Sequence, residues 1–314
     1  MKIFVTGGAG FIGSHLVDRL VAQKHDVVVF DNLSSGKLEF IQRHMDSGKI
    51  RFVKGDLTNR DEIDSAIKGA EMVWHLAANP DVKLGASDTR IHLDQNIIAT
   101  YNLLESMRKN GVKKIAFTST STIYGEASQI PTPENYGPCV PISLYGASKL
   151  ACEALILAYC GTFDMESALF RFANIIGPRS THGVIFDFAR KLSANPQELE
   201  ILGDGKQTKS YCYIGDCVDG MIFGWEHRNA RTEIFNVGSS DWIDVKGLAD
   251  IVSKEMKLKP KYKFTGGVDG GRGWKGDVKT MMLSVEKMKA LGWMPKYGSA
   301  ESITLTARSI LGKK

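Results

Sequence analysis

Several classes of protein are argued against by what the chain has little of. It has five cysteines, Cys139, Cys152, Cys160, Cys212 and Cys217, an odd number with no C-x-x-C pair. That is a poor disulfide framework, and reduced thiols in a cytoplasmic protein are expected instead. The seven histidines are scattered and offer no ligand pair at helical or turn spacing, so no metal site is expected. No apolar run approaches the roughly 20 residues that cross a bilayer. The apolar start, residues 3–5, is broken at once by glycine. Neither a membrane span nor a secretory leader is therefore expected. The net charge of +5 is spread along the chain rather than blocked. Without a basic stripe interleaved with aromatics, nucleic acid is not an expected partner. Internal repeats and low-complexity segments are also missing.

What remains is a globular composition, 43% hydrophobic and 24% charged over 314 residues, enough for two domains or one large α/β domain. The strongest local signal is at the start. Ile3, Phe4 and Val5 read as a short buried strand. Gly7, Gly10 and Gly13 follow as G-x-x-G-x-x-G, and then Ile12, Leu16, Val17, Leu20 and Val21 recur at helical spacing. Glycine permits the tight turn and a close approach of backbone to ligand, and the N–H groups at the helix start favour an anion. A dinucleotide pyrophosphate is such an anion. The next strand, residues 26–30, ends at Asp31, about twenty residues beyond the motif, where a carboxylate accepts hydrogen bonds from the adenosine ribose. A carboxylate there disfavours a 2′-phosphate, which points to NAD rather than NADP. The competing reading has Asp31 capping a loop with Asn32.

Strand and helix then alternate. Strands are expected at 50–53, 72–75, 114–118 and 167–172, with a loose helix near 40–44 and further helices at 61–67, 93–109 and 149–159. This alternation predicts a Rossmann-type, doubly wound parallel sheet with ligands at the carboxyl ends of its strands. Asp56 lies at such an end, where an adenine amine could meet it. Leu76, Ala77 and Ala78 follow another, small enough for cofactor and backbone to come close. Asn96 lies early on its helix. For Asp56 and Asn96, cofactor contact and local capping both stand. Residues 126–144, rich in proline and glycine, read as a long ordered loop. After about residue 176 the alternation weakens. The expected division is a dinucleotide-binding domain over 1–176, rejoined by a strand and helix from about 210–256, and a smaller C-terminal α/β domain over 177–314 that mainly binds substrate.

Tyr145 and Lys149 lie four apart on a helix and face the same way. An ammonium beside a phenol favours the phenolate, and a nicotinamide cation acts in the same direction. The result is a general base for a sugar or alcohol hydroxyl. Thr120 or Ser121, at the end of a hydroxyl-rich strand, is placed to share that proton.

Together these segments resemble the extended short-chain dehydrogenase/reductase superfamily, specifically the NAD-dependent epimerase/dehydratase family, over nearly the whole chain. The matching stretches are residues 6–14, 55–57, 75–78, 119–125, 145–149 and 171–174, followed by Val184-Ile185, residues 205–209 and 276–278. Within that family the match is nearest the UDP-glucose 4-epimerases. The resemblance implies NAD as cofactor and a UDP-sugar as substrate. Tyr145 then takes the proton from the sugar 4-hydroxyl, Thr120 is its hydroxyl partner, and Lys149 completes the catalytic set. The expected cofactor set, completed by the resemblance, is Gly7, Gly10, Phe11, Ile12, Gly13, Asp31, Asn32, Asp56, Leu57, Leu76, Ala77, Ala78, Asn96, Tyr145, Lys149 and Phe172. The expected substrate set is Thr120, Ser121, Tyr145, Asn174, Val184, Lys209, Arg272 and Asp277; for Arg272 and Asp277 a solvated loop is the alternative.

The family's 4,6-dehydratases carry an Asp-Glu pair after the catalytic threonine. This chain has Ser121 and Thr122 there, so epimerisation is expected over elimination. Three positions depart from the pattern. Lys209 stands for an arginine against the diphosphate, Phe172 for a tyrosine beside the nicotinamide, and Pro80 for a lysine towards the cofactor. Family analogy also implies a homodimer through helices 93–109 and 149–159, whose apolar faces core packing within one subunit explains equally well. The alternatives are another sugar-nucleotide epimerase, dehydratase or reductase acting on a UDP-N-acetylhexosamine or UDP-uronate, and a non-catalytic NAD-binding protein.

Overall fold

The computed structural model describes residues 1–313. Six strands, β1 (Lys2–Thr6), β2 (Asp26–Asp31), β3 (Ile50–Lys54), β4 (Met72–His75), β5 (Lys114–Thr120) and β6 (Glu166–Phe172), join the strand Thr232–Val237 in one sheet. Its order is Thr232–Val237, β6, β5, β4, β1, β2, β3. All pairings from β3 to β5 are parallel, with Phe4 opposite Val28 on one side and Val73 on the other. The strand order reverses between β1 and β4, which is the switch point of a doubly wound Rossmann sheet. β4 is buried along its whole length and β1 from Ile3 onward. Strands covered on both faces need apolar runs, not alternation, and Ile3-Phe4-Val5 supplies one.

The helices of this part are α1 (Phe11–Ala22), α2 (Gln42–Asp46), α3 (Arg60–Ala66), α4 (Ala99–Lys109) and α5 (Leu144–Phe163). Asn59 caps α3 by accepting from the Asp61 N–H. The helix expected over 93–109 begins as a π-helical turn, Leu93–Ile98, before α4. Phe4, Val28, Phe30, Leu104, Met107, Phe117, Ile156 and Leu169 pack into one core.

The chain forms two compact units. The first comprises Met1–Ile123, Leu144–Arg171 and Ile222–Phe235; the second comprises Tyr124–Ser143, Phe172–Met221 and Asn236–Lys314. The division expected from the sequence differs in two respects. The loop 124–143 belongs with the second unit, and of the return expected over about 210–256 only Ile222–Phe235 joins the first. In the second unit, Asn174–Ile176 pairs in parallel with Tyr211–Tyr213, and Glu198–Ile201 with Lys261–Phe264. Thr208–Lys209 is flanked by Ile243–Asp244 and Thr280–Met281. The helices Val184–Ala194, Val245–Glu255 and Ser299–Ile310 enclose a core that includes Ile185, Phe188, Leu199, Leu248 and Ile303. Among the described residues no helix is long and apolar enough to cross a membrane.

Candidate active site

The glycine turn joins β1 to α1. Gly7 has φ of +69°, and a Cβ there would stand 2.7 Å from the Ala77 nitrogen. A Cβ on Gly13 would stand 2.0 Å from the Gly7 carbonyl oxygen and 2.8 Å from Gly8 Cα. Both positions therefore require glycine, one for its left-handed backbone and one for close packing. Gly10 caps α1 without a side-chain bond, and the first turn, with Phe11, Ile12 and Gly13, carries no acidic residue. The positive end of the helix is thus left to an anionic group. These features fit the pyrophosphate of a dinucleotide.

Asp31, at the end of β2, is buried. Its Oδ2 accepts from the Ala9 N–H at 3.0 Å and its Oδ1 from the Leu33 N–H at 2.8 Å. Burial raises the carboxyl above its ordinary pKa, against the pull of those two bonds. Asp31 thereby ties the end of β2 to the glycine turn, and each oxygen keeps a lone pair for a ribose hydroxyl. The neighbouring Asn32 donates to Asp56 Oδ2 at 2.9 Å, while Thr58 donates to Asp56 Oδ1 through both its N–H, at 2.8 Å, and its hydroxyl, at 2.7 Å. Burial opposes the Asp56 charge, but these bonds prevail and hold its carboxyl below the usual value. Asp56 so joins β2 to the turn beyond β3, with Leu57 buried beside it.

Leu76, Ala77 and Ala78 follow β4, and Ala77 backs directly on Gly7. Asn96 is buried; its Oδ1 accepts from the Asn79 N–H at 2.8 Å and its Nδ2 donates to Ser148 Oγ at 2.8 Å. Of the two readings open for Asn96, these bonds support positioning: it fastens the segment after β4 to α5. His75 is held neutral between Thr6 and Thr100, at 2.8 and 2.9 Å, its pKa lowered to about 3 by burial and by the Lys149 charge.

Tyr145 stands in the first turn of α5, and the Thr120 hydroxyl at the end of β5 lies close enough to its phenol to oppose the upward push of burial. Thr120 Oγ1 also accepts from the Thr122 N–H at 3.2 Å. Ser121 opens the short turn that follows and is buried. Lys149, one turn along α5, is buried and donates to the Thr118 carbonyl at 2.7 Å, its ammonium 4.5 Å from the centre of the Phe117 ring. Burial pushes Lys149 down to about 8, against the raising effect of Cys152 and Glu153. A further turn on, Glu153 receives Arg171 in a buried bidentate pair, Nε to Oε1 at 3.0 Å and Nη2 to Oε2 at 2.7 Å. The expectation that Lys149 lowers the Tyr145 pKa does not hold in the protein alone. Burial drives the phenol well above its ordinary value, the Cys152 thiol adds to this, and the Thr120 hydroxyl only partly opposes it.

The remaining residues lie in the second unit. Phe172 is buried at the end of β6. Asn174 donates through Nδ2 to the Ser210 carbonyl at 3.1 Å. The next residue back, Lys209, pairs with Asp277 at 2.5 Å and lies 5.4 Å from the centre of the Trp274 ring. Asp277 is buried and accepts from the Gly273 N–H at 3.3 Å, so the solvated-loop reading fails for it. Val184 opens its helix after Gly183 and packs against the second core. Arg272 is engaged by Glu126, with Nη2 to Oε1 at 2.7 Å and Nε to Oε1 at 3.2 Å. Sequence reasoning missed Glu126 and the ring of His92, whose centroid lies 5.7 Å from that of Tyr145. Glu126 and Arg272 are 146 residues apart, a separation no local pattern bridges. Neither residue carries a spacing signal.

The doubly wound sheet and the glycine turn after its first strand define a Rossmann-type dinucleotide-binding protein. The chain belongs to the NAD dependent epimerase/dehydratase family, whose model matches residues 3–238. It is 35% identical to a putative UDP-glucose 4-epimerase of Methanocaldococcus jannaschii, covering 96% of this chain and 95% of that protein. Among solved structures it is similar to a UDP-galactose 4-epimerase at 41% identity, with 99% of both chains covered and a TM-score of 0.89. It is also similar to the UDP-glucuronic acid 4-epimerase of Bacillus cereus, solved with UDP-glucuronic acid and NAD, at 27% identity, 99% coverage of both chains and a TM-score of 0.89.

Proposed function

We propose that the protein is an isomerase that inverts C4 of a UDP-hexose, with UDP-glucose and UDP-galactose as the substrate pair. The observation that carries the reading is the Thr120 hydroxyl, at the carboxyl end of β5, beside the Tyr145 phenol on α5, with Ser121 and Thr122 where an eliminating enzyme needs acids. Tyr145 Oη receives the proton of the sugar 4-hydroxyl and later returns it. The Thr120 hydroxyl holds the phenol oxygen and orients the sugar. Lys149 keeps a positive charge below pH of about 8, one helical turn from the phenol. When bound, NAD supplies the hydride acceptor and donor and a cationic ring that favours the phenolate. Gly7, Gly10 and Gly13, with the first N–H groups of α1, hold its pyrophosphate, and Asp31 its adenosine ribose. In the second unit, Lys209 and Arg272 meet the diphosphate, while Asn174, Val184 and Asp277 hold the uridine side of the substrate. The protein acts in the cytoplasm as a homodimer; Leu93, Ile98 and Tyr101, exposed along one helix, supply the apolar face that a second copy covers.

The test is to incubate purified protein with UDP-galactose without added cofactor, following UDP-glucose and the absorbance of reduced nicotinamide. Conversion without accumulated NADH is the expected result. Conversion only of UDP-N-acetylgalactosamine or UDP-galacturonate would move the substrate to that sugar, a reading supported by the similarity to a uronate epimerase. Inertness to all three would overturn 4-epimerisation.

A further inference from the structure

We propose that His92 is a positioning residue for the proposed base: its imidazole edge fixes the Tyr145 ring and so sets turnover rather than ligand binding. The proposal rests on the reading of Tyr145 as the base and on the following contacts, all within the first unit.

The His92 and Tyr145 ring centroids are 5.7 Å apart with planes at 61°, an edge-to-face contact. Such pairs hold a ring in one orientation beyond what burial alone supplies. Tyr145 is in the first turn of α5. The Thr120 hydroxyl acts on the phenol oxygen, not on the ring plane. A second contact on the ring itself is needed, and His92 makes it.

His92 is itself locked. It is 1% exposed and immediately precedes the π-helical turn. Nδ1 lies 3.5 Å from Asn96 Nδ2, and Asn96 is tied in turn to Ser148 on α5. On the far side, a Cβ on Gly85 would stand 2.9 Å from His92 Cδ2 and 3.1 Å from Nε2. Glycine at 85 therefore makes room for this ring. Nε2 is buried without a hydrogen-bond partner among the described residues. The charged groups facing His92 are Asp81 and Asp88; both favour a proton, but burial prevails and the imidazole stays neutral. A neutral ring with no strong hydrogen bond of its own acts by shape.

The test compares wild type with His92→Ala and His92→Phe. Removing the ring lets the phenol swing, and displacement of a reacting group by an ångström can slow chemistry about 100-fold. With UDP-galactose, His92→Ala is expected to lower kcat between about tenfold and 100-fold. KM and bound NAD should stay near wild type. His92→Phe restores an edge-to-face ring and should return kcat to within about threefold of wild type. Equal kcat in His92→Ala and wild type would overturn the proposal, as would a phenylalanine variant as slow as the alanine one, since the nitrogens would then matter. If alanine does not fold, the phenylalanine variant alone decides on kcat.

A substrate-free readout separates this proposal from the proposed function. Difference absorbance against Tyr145→Phe follows the Tyr145 phenol through alkaline titration. Water admitted by His92→Ala should bring that titration down towards an ordinary tyrosine, while His92→Phe leaves it high. An unshifted titration in His92→Ala overturns the positioning role. Wild type inert to every sugar nucleotide overturns the function and leaves this titration to judge His92.

Discussion

Lys149 donates its ammonium to the backbone carbonyl of Thr118, 31 residues earlier, at 2.7 Å. The bond sews the first turns of α5 to the end of β5, the strand that ends in Thr120. The same burial that makes the contact rigid disfavours the charge, which is why the ammonium titrates near 8. The sign of the consequence follows from proton counts. Between pH 8 and the ordinary lysine value of 10.5 the unfolded chain holds a proton that the folded chain does not, so stability due to this group rises with pH across that window. Wild type should therefore gain on the order of 2 kcal/mol over Lys149→Met between pH 8 and 10, read as the difference between their urea midpoints. Parallel pH trends for the two proteins would mean that Lys149 is not shifted.

Tyr145→Phe removes one oxygen and leaves the ring against His92. Positioned proton transfer is worth about 100-fold to 10,000-fold in rate. We expect kcat to fall by at least about 100-fold, with bound NAD and thermal midpoint close to wild type. A variant that keeps a tenth of the activity would require another proton acceptor.

Gly13→Ala places a methyl group into the Gly7 carbonyl and the Gly8 backbone. Neither is a side chain that can swing away, so the turn itself must shift. Overpacking of this kind typically costs about 1–3 kcal/mol, and here it also moves the N–H groups intended for the pyrophosphate. The measurements are thermal midpoint and NAD content after purification, and both should drop. Gly48→Ala is the control for composition, because a Cβ there meets nothing within 4 Å, although its φ of +65° adds backbone strain that NAD content does not register.

How much of this was legible in the sequence depends on range. The first strand, the glycine turn and α1 are consecutive, so periodicity and three glycines sufficed. Tyr145 and Lys149 were singled out for the same reason, sharing a helix face, while the strand end offered Thr120 or Ser121 and only the family resemblance chose between them. The environment of Tyr145 was not legible. Spacing placed a lysine near a phenol, but the net pKa depends on how much water the fold excludes, and burial is the largest influence on Tyr145. The pairing of Glu198–Ile201 with Lys261–Phe264 was missed although both segments alternate, because four residues among lysines and glutamates resemble an exposed loop. The division into units was misread at residues 124–143, whose ties run forward to Met282, Ser284 and Asn236, far outside any window.

Glu126 shows what such long-range pairing does to Arg272, the group proposed to meet the diphosphate. Its Oε1 accepts two bonds from Arg272 and one, at 3.3 Å, from the Lys279 N–H, while Arg272 also donates to the Asp269 carbonyl. Arg272 thus carries a fixed counterion before any diphosphate arrives. The pair is partly exposed, so salt and solvent weaken it, and an incoming diphosphate of higher charge density can outcompete one carboxylate. Glu126→Gln keeps an oxygen for the guanidinium and removes the competing charge. UDP should then bind about threefold to tenfold tighter at low ionic strength, and the gain should shrink as salt is raised. Quenching of tryptophan fluorescence offers the readout, since Trp274 stacks beside Lys209 in the same unit. Weaker UDP binding in Glu126→Gln would show that the carboxylate holds Arg272 in its binding posture, and unchanged affinity would remove Arg272 from the diphosphate site.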